Sequence, residues 1–260
     1  MRRCRCSAAG IAPHCVIEVS VPRNRLRETL RRLRSAVIGG WSTVVYFSIF
    51  GIPVHVQPWF WLSLALLGFG SLGDGGYWEW LSLALFVLAG FLTVLVHELG
   101  HALAGRAYGA RGAITLQAFG GITHFDGRRF GRVQEFLVTF AGPGLQLVLA
   151  WLLTFVDPDF YDGRPVLAYF LRMLQLISVF WAALNLLPVL PLDGGQMFRT
   201  IVGPRREHIA EWVTIVTAAV TALLAFRLLS SIFLPLMMAA FAYQAWQRLS
   251  AGGRGRRRLL

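Results

Sequence analysis

Lysine is missing from this chain of 260 residues, whose 25 basic positions are all Arg. Charge of either sign is scarce, at 15% of residues where a soluble domain carries roughly 25%. Cysteine is nearly absent too: Cys4, Cys6 and Cys15 are an odd number gathered at one end, which excludes a secreted module built on disulfides. No phosphate loop, internal repeat or coiled-coil heptad occurs. With 56% hydrophobic residues, the chain is neither a disordered segment nor a water-soluble enzyme. What is left is a protein that crosses a membrane several times.

What is present in abundance is uncharged sequence. Ignoring His, no formal charge falls in Ser35 to Gly73, Trp80 to His97, Phe136 to Val156, Met173 to Leu192 or Leu228 to Gln247. A bilayer core takes about 20 helical residues to cross. Periodicity places spans near 58–73, 80–107, 134–155, 166–188, 208–226 and 229–247, an all-α polytopic fold of six helices. Arg clusters occupy one set of ends: the first 34 residues, Arg106 to Arg132, Arg199 to Arg206, and Arg248 to Arg258. The other ends carry Asp74, Glu79, Asp157, Asp159 and Asp162. The positive-inside rule then puts both termini in the cytoplasm, here of a prokaryotic cell membrane, and reads the net charge of +12 as topology, not as a nucleic-acid surface. The expected organisation is a basic tail over 1–40, a membrane domain over 41–250 and a second basic tail over 251–260. No signal peptide is evident, and Pro22 to Ile38 is a basic stretch suited to an anionic leaflet or to solvent. Trp59, Trp61, Tyr77, Trp78 and Trp80 fit an interfacial belt, and His55 and His208 fall at interfaces.

Ionisable side chains inside a membrane helix cost roughly 2.5–3.5 kcal/mol each and mark function by default. Three stand within five residues here, as His97, Glu98 and His101 in VLVHELGHALAG. Residues four apart share a helix face, so two imidazoles can converge on one cation. Glu98 is turned by about 100°, placed to act on a water without being a ligand. A tetrahedral ion needs one more protein ligand and one open position. Asp193 is the candidate, with Asp126 and His124 as rivals. It sits in NLLPVLPLDGG, Asn185 to Gly195, where Pro188 and Pro191 forbid continuous helix and backbone at membrane depth must line a protein cavity. Between the second and third spans, Ala113 to Asp126 alternates around Gly120-Gly121 as a short β-hairpin, whose edge suits a substrate segment added as a strand. Ala141 to Gly144 groups small residues for close helix approach.

These residues resemble the site-2 protease family of intramembrane zinc metalloproteases, over about Gly51 to Gly195: HELGH, the Gly120-Gly121 hairpin, AGPGLQ and NLLPVLPLDGG. The resemblance implies a catalytic core over 80–107, 134–155 and 166–195, with one zinc ion per chain held by His97, His101 and Asp193. It also implies that Glu98 activates water to cleave a transmembrane protein substrate, and that Asn185 positions substrate or the oxyanion. Gln146 departs from the Asn common in the family, and the length points to a compact member without a PDZ-like or nucleotide-sensing domain. Two other readings use the same residues: a membrane scaffold binding single-span proteins, which has no use for Glu98, and a small proton-relaying transporter, which needs polar residues along several spans.

Overall fold

A computed structural model of the chain describes residues 45–69, 76–127, 129–156, 163–228 and 232–257. The basic tail over 1–40 lies outside the described residues. The described chain opens with a hairpin, β1 (Val45–Ile49) and β2 (Ile52–Val56), turned by Phe50 and Gly51 at φ of 51° and 75°. Two consecutive positive φ values make the turn whose twist matches paired strands. Helix α1 (Pro58–Phe69) starts on a proline, whose fixed φ suits the first helical turn. Helix α2 (Tyr77–Ala107) follows, 31 residues long and so about 46 Å, more than a bilayer core requires. It ends in a Schellman motif at Gly109 (φ 79°), with Ala110 N–H donating to Gly105 O and Gly109 N–H to Arg106 O.

Strands β3 (Gly112–Gln117) and β4 (Gly120–Phe125) then pair antiparallel, the hairpin expected from alternation. They belong to a larger sheet than the sequence signalled. β2 runs parallel to β3, with Val54 opposite Ile114, so the order is β1-β2-β3-β4 and α1 with α2 forms the crossover. Val54, Val56, Ile114 and Leu116 are fully buried beneath Phe60, Leu64, Val94, Leu95 and Leu99, fastening the sheet to the end of α2 that carries HELGH.

The rest is helical: α3 (Arg132–Leu153), α4 (Pro165–Asn185), α5 (Asp193–Val202), a 3-10 turn (Pro204–Arg206), α6 (Glu207–Leu228) and α7 (Phe233–Arg257). Among the described residues, four helical segments are long and apolar enough to cross a membrane: Tyr77–Ala107, Arg132–Leu153, Pro165–Asn185 and Pro204–Leu228. They match four of the six expected spans. The first expected span is the 12-residue α1, because part of the neutral run before it forms β1 and β2. The last is α7, whose apolar stretch is diluted by Gln244, Gln247 and Arg248, and whose helix runs on to Arg257 where a tail was expected from 251. A second core of Leu184, Val189, Ala218 and Met238 packs α6 and α7 against the end of α4 and the loop after it.

Candidate metal centre

The loop from Leu186 to Leu192 explains how a residue so distant in sequence reaches HELGH. Pro188 and Pro191 stop α4 from continuing, and the Leu190–Pro191 peptide is cis. The loop is pinned from behind, since Leu190 N–H donates to Thr214 Oγ1 of α6 over 3.0 Å and Thr214 Oγ1 donates to Ala210 O over 2.8 Å. Gly194 and Gly195 begin α5 so close to Leu186, Leu187 and Val189 that any Cβ would strike that backbone. Asp193 is therefore held at the first turn of α5, buried, with its carboxylate over the α2 face that carries the two imidazoles.

Asp193 Oδ2 lies 2.9 Å from His97 Nε2 and 3.4 Å from His101 Nε2, and the two Nε2 atoms are 3.0 Å apart. All three residues are buried. The protons on the rings can be assigned from the opposite nitrogens. His101 Nδ1 faces Val138 O of α3 at 2.8 Å, and a carbonyl only accepts, so Nδ1 carries a proton. His97 Nδ1 faces Gln146 Oε1 at 2.9 Å, again an acceptor. Both Nε2 atoms of the neutral rings are then bare lone pairs, and Asp193 Oδ2 is a buried oxygen with no hydrogen-bond donor. Neutral rings so placed would point three electron-pair donors at one another, an arrangement that a cation resolves, whether a proton shared with Asp193 or a metal ion. The edge of a tetrahedron of ligands around zinc is about 3.3 Å, close to the three observed separations. The donor set, two imidazoles and one carboxylate, fits zinc.

Glu98 is buried beside this group but is not one of its donors. Its Oε2 accepts a 2.6 Å hydrogen bond from Thr123 Oγ1 of β4. Two strand residues earlier, Gly121 sits so close to Glu98 that a Cβ would overlap the carboxylate. The helix packing is equally tight on the other side, where a Cβ at Gly142 of α3 would meet the His101 ring. Asn185 ends α4, half-buried, with its amide donating to Trp181 O of its own helix over 3.0 Å. Gly120 and Gly121 open β4, which borders the sheet and has one edge unpaired by any described strand. The rivals His124 and Asp126 are exposed and outside the donor group, as is His208. His55 lies in β2 with its ring edge-on to Tyr46, and partial burial lowers its pKa from the ordinary value. Thr123 was not signalled by the sequence, and Gln146 only as a departure from the family pattern. Their partners lie 25 and 49 residues away, and no local spacing connects them.

Residues 164–227, from the start of α4 through the proline loop and Asp193 to α6, match peptidase family M50. A putative zinc metalloprotease of Synechocystis is 36% identical over 163 residues, 60% of this chain and 43% of that protein. A zinc metalloprotease of Methanocaldococcus jannaschii is 28% identical over 206 residues, 76% of this chain and 57% of that protein. The stage IV sporulation protein FB of Bacillus subtilis is 33% identical over 152 residues, 56% of this chain and 46% of that protein. The chain thus spans about half the length of the curated relatives it matches. Among solved structures, the site-2 protease from Methanocaldococcus jannaschii superposes with a TM-score of 0.54 at 26% identity, over 79% of this chain and 94% of that one. On the matched segment, these proteins and the fold together, the chain is similar to zinc metalloproteases of the site-2 protease, or M50, family.

Proposed function

We propose that this protein is an intramembrane zinc endopeptidase, hydrolysing peptide bonds in or near the transmembrane segments of membrane-protein substrates. The observation that carries the reading is a buried carboxylate, Glu98, on a helix long and apolar enough to cross a bilayer, adjoining a buried set of three metal donors, two from that helix and Asp193 from α5. His97, His101 and Asp193 would hold one zinc ion. Zinc, when bound, supplies Lewis acidity, polarising a carbonyl and bringing the pKa of a water toward about 7.

Glu98 acts as general base and then as general acid: it takes a proton from the attacking water and returns it to the leaving amine. Thr123 holds Oε2 of that carboxylate and leaves Oε1 for the proton. A peptide bond within a helix is shielded, so the substrate must be extended to be cut. The unpaired edge of β4, beginning at Gly120 and Gly121, offers backbone partners for such a strand beside Glu98. Asn185, at the α4 end of the loop that presents Asp193, is assigned to positioning the substrate. With α1 and α7 completing six spans, both termini face the cytoplasm and the site lies toward that side of a prokaryotic cell membrane. A scaffold that binds without cutting would need the metal donors and would leave Glu98 without a task.

The test uses purified protein in proteoliposomes with a single-span reporter substrate. Glu98→Gln should keep one zinc per chain while cleavage falls by roughly 10²–10⁴-fold, the range for removing a general base. Asp193→Ala should lose the zinc. Undiminished cleavage by Glu98→Gln would remove the base from this reading, and an inert wild type with full zinc would favour the scaffold.

A further inference from the structure

Gln146 is wholly buried and makes two hydrogen bonds that cannot be exchanged. Its Nε2 donates to Thr93 O over 3.1 Å, while its Oε1 faces His97 Nδ1 at 2.9 Å. A backbone carbonyl has no hydrogen to give, so only the amide nitrogen can face Thr93. That fixes the amide oxygen toward the ring, and an amide oxygen there is satisfied only by a proton on Nδ1. The alternative pairing, a rotated amide with the proton on Nε2, would set the amide oxygen against the Thr93 carbonyl in a site closed to water. Thr93 is itself seated, its Oγ1 lying 3.2 Å from Ser178 Oγ of α4, so the clasp stands where α2, α3 and α4 meet.

We infer that Gln146 is a positioning residue of the metal centre: its amide, oriented by the Thr93 carbonyl, keeps the His97 proton on Nδ1 and leaves Nε2 bare toward Asp193 and His101. The inference rests on the metal-centre reading but not on peptide cleavage. It also gives the glutamine of AGPGLQ a task of its own. The His101 ring is oriented by a backbone carbonyl that no substitution removes, so His97 is the ligand whose tautomer depends on a side chain.

Two variants of nearly the same length separate chemistry from space filling. Gln146→Met keeps the volume and loses the acceptor; Gln146→Glu keeps the acceptor toward His97 and, protonated in this dry site, still donates to Thr93 O. Zinc affinity is read on the full-length protein in detergent by competition with a chelating dye. Gln146→Met should bind about 10–100-fold more weakly, the usual effect of removing a ligand's outer partner. Gln146→Glu should bind as tightly as wild type or more tightly. Met binding equal to wild type, or Met and Glu losing equally, would overturn the assignment. If Gln146→Met fails to fold, wild type alone decides through ring nitrogen shifts of labelled histidine before and after zinc removal. The His97 proton should stay on Nδ1 in the zinc-free protein, and finding it on Nε2 would refute the proposal. These readouts stand apart from activity, so a wild type that binds zinc and cuts nothing would defeat the protease reading and leave the role of Gln146 intact.

Discussion

Thr123 shows how much a single hydroxyl is asked to do. It stands on the face of β4 turned toward α2, and its Oγ1 donates to Glu98 Oε2 at 2.6 Å. A hydrogen bond to a charged group is worth about 1.5–3 kcal/mol. Thr123→Val keeps the shape and the β-branched preference for a strand but frees the carboxylate to rotate. We expect cleavage by Thr123→Val to fall by roughly 10–100-fold at unchanged zinc content, and Thr123→Ser to recover most of it, measured as kcat on a reporter substrate. Loss of zinc from the valine variant would place Thr123 with the metal ligands instead. The glycines on either side of the site act by omission. Gly121 makes room for the Glu98 carboxylate and Gly142 for the His101 ring, so neither can gain a methyl group without moving one of those side chains.

At the scale of elements, the loop between α4 and α5 is the least replaceable piece, because it turns a helix end into a ligand-bearing wall. Its anchor is Thr214, fully buried on α6, which accepts from Leu190 N–H. Thr214→Val would strand that buried donor, at a cost of about 1–3 kcal/mol. Thermal unfolding should show a matching drop, with Thr214→Ser close to wild type; an unshifted transition would mean the loop is held by packing alone. The HELGH helix and the proline-broken approach to Asp193 were legible in the sequence because each is a local pattern, ionisable or helix-breaking residues set in apolar sequence. β1 and β2 were not, since Val45 to Val56 reads simply as more neutral sequence before a span, and the parallel pairing of β2 with β3 joins residues some 60 positions apart. That pairing is what turns a hairpin into a four-stranded sheet braced against α2. The Gln146 clasp was hidden for the same reason, being a contact between helices that leaves no trace in spacing.

For the molecule as a whole, orientation is the claim most open to direct measurement. All three cysteines, Cys4, Cys6 and Cys15, precede the first described strand and so report on the N-terminal side alone. A membrane-impermeant maleimide should label them in inverted vesicles and not in intact spheroplasts. A cysteine added after Leu260 in a cysteine-free background should label from the same side. Labelling of the two ends from opposite sides would break the even parity of spans drawn from the Arg clusters.

His97 and Asp193 lie about a hundred residues apart along the chain, yet their donor atoms are 2.9 Å apart. An ion shared between them is thus a cross-link, closing a loop that runs through α3, α4 and the proline-rich turn. On a chain-entropy estimate, a tie of that span restrains the unfolded chain by roughly 4–5 kcal/mol. Metal withdrawal should then loosen the protein well beyond the donor group itself. The melting temperature should fall as chelator is raised and recover when zinc is returned. A midpoint indifferent to both would mean that the ion binds a frame already rigid without it.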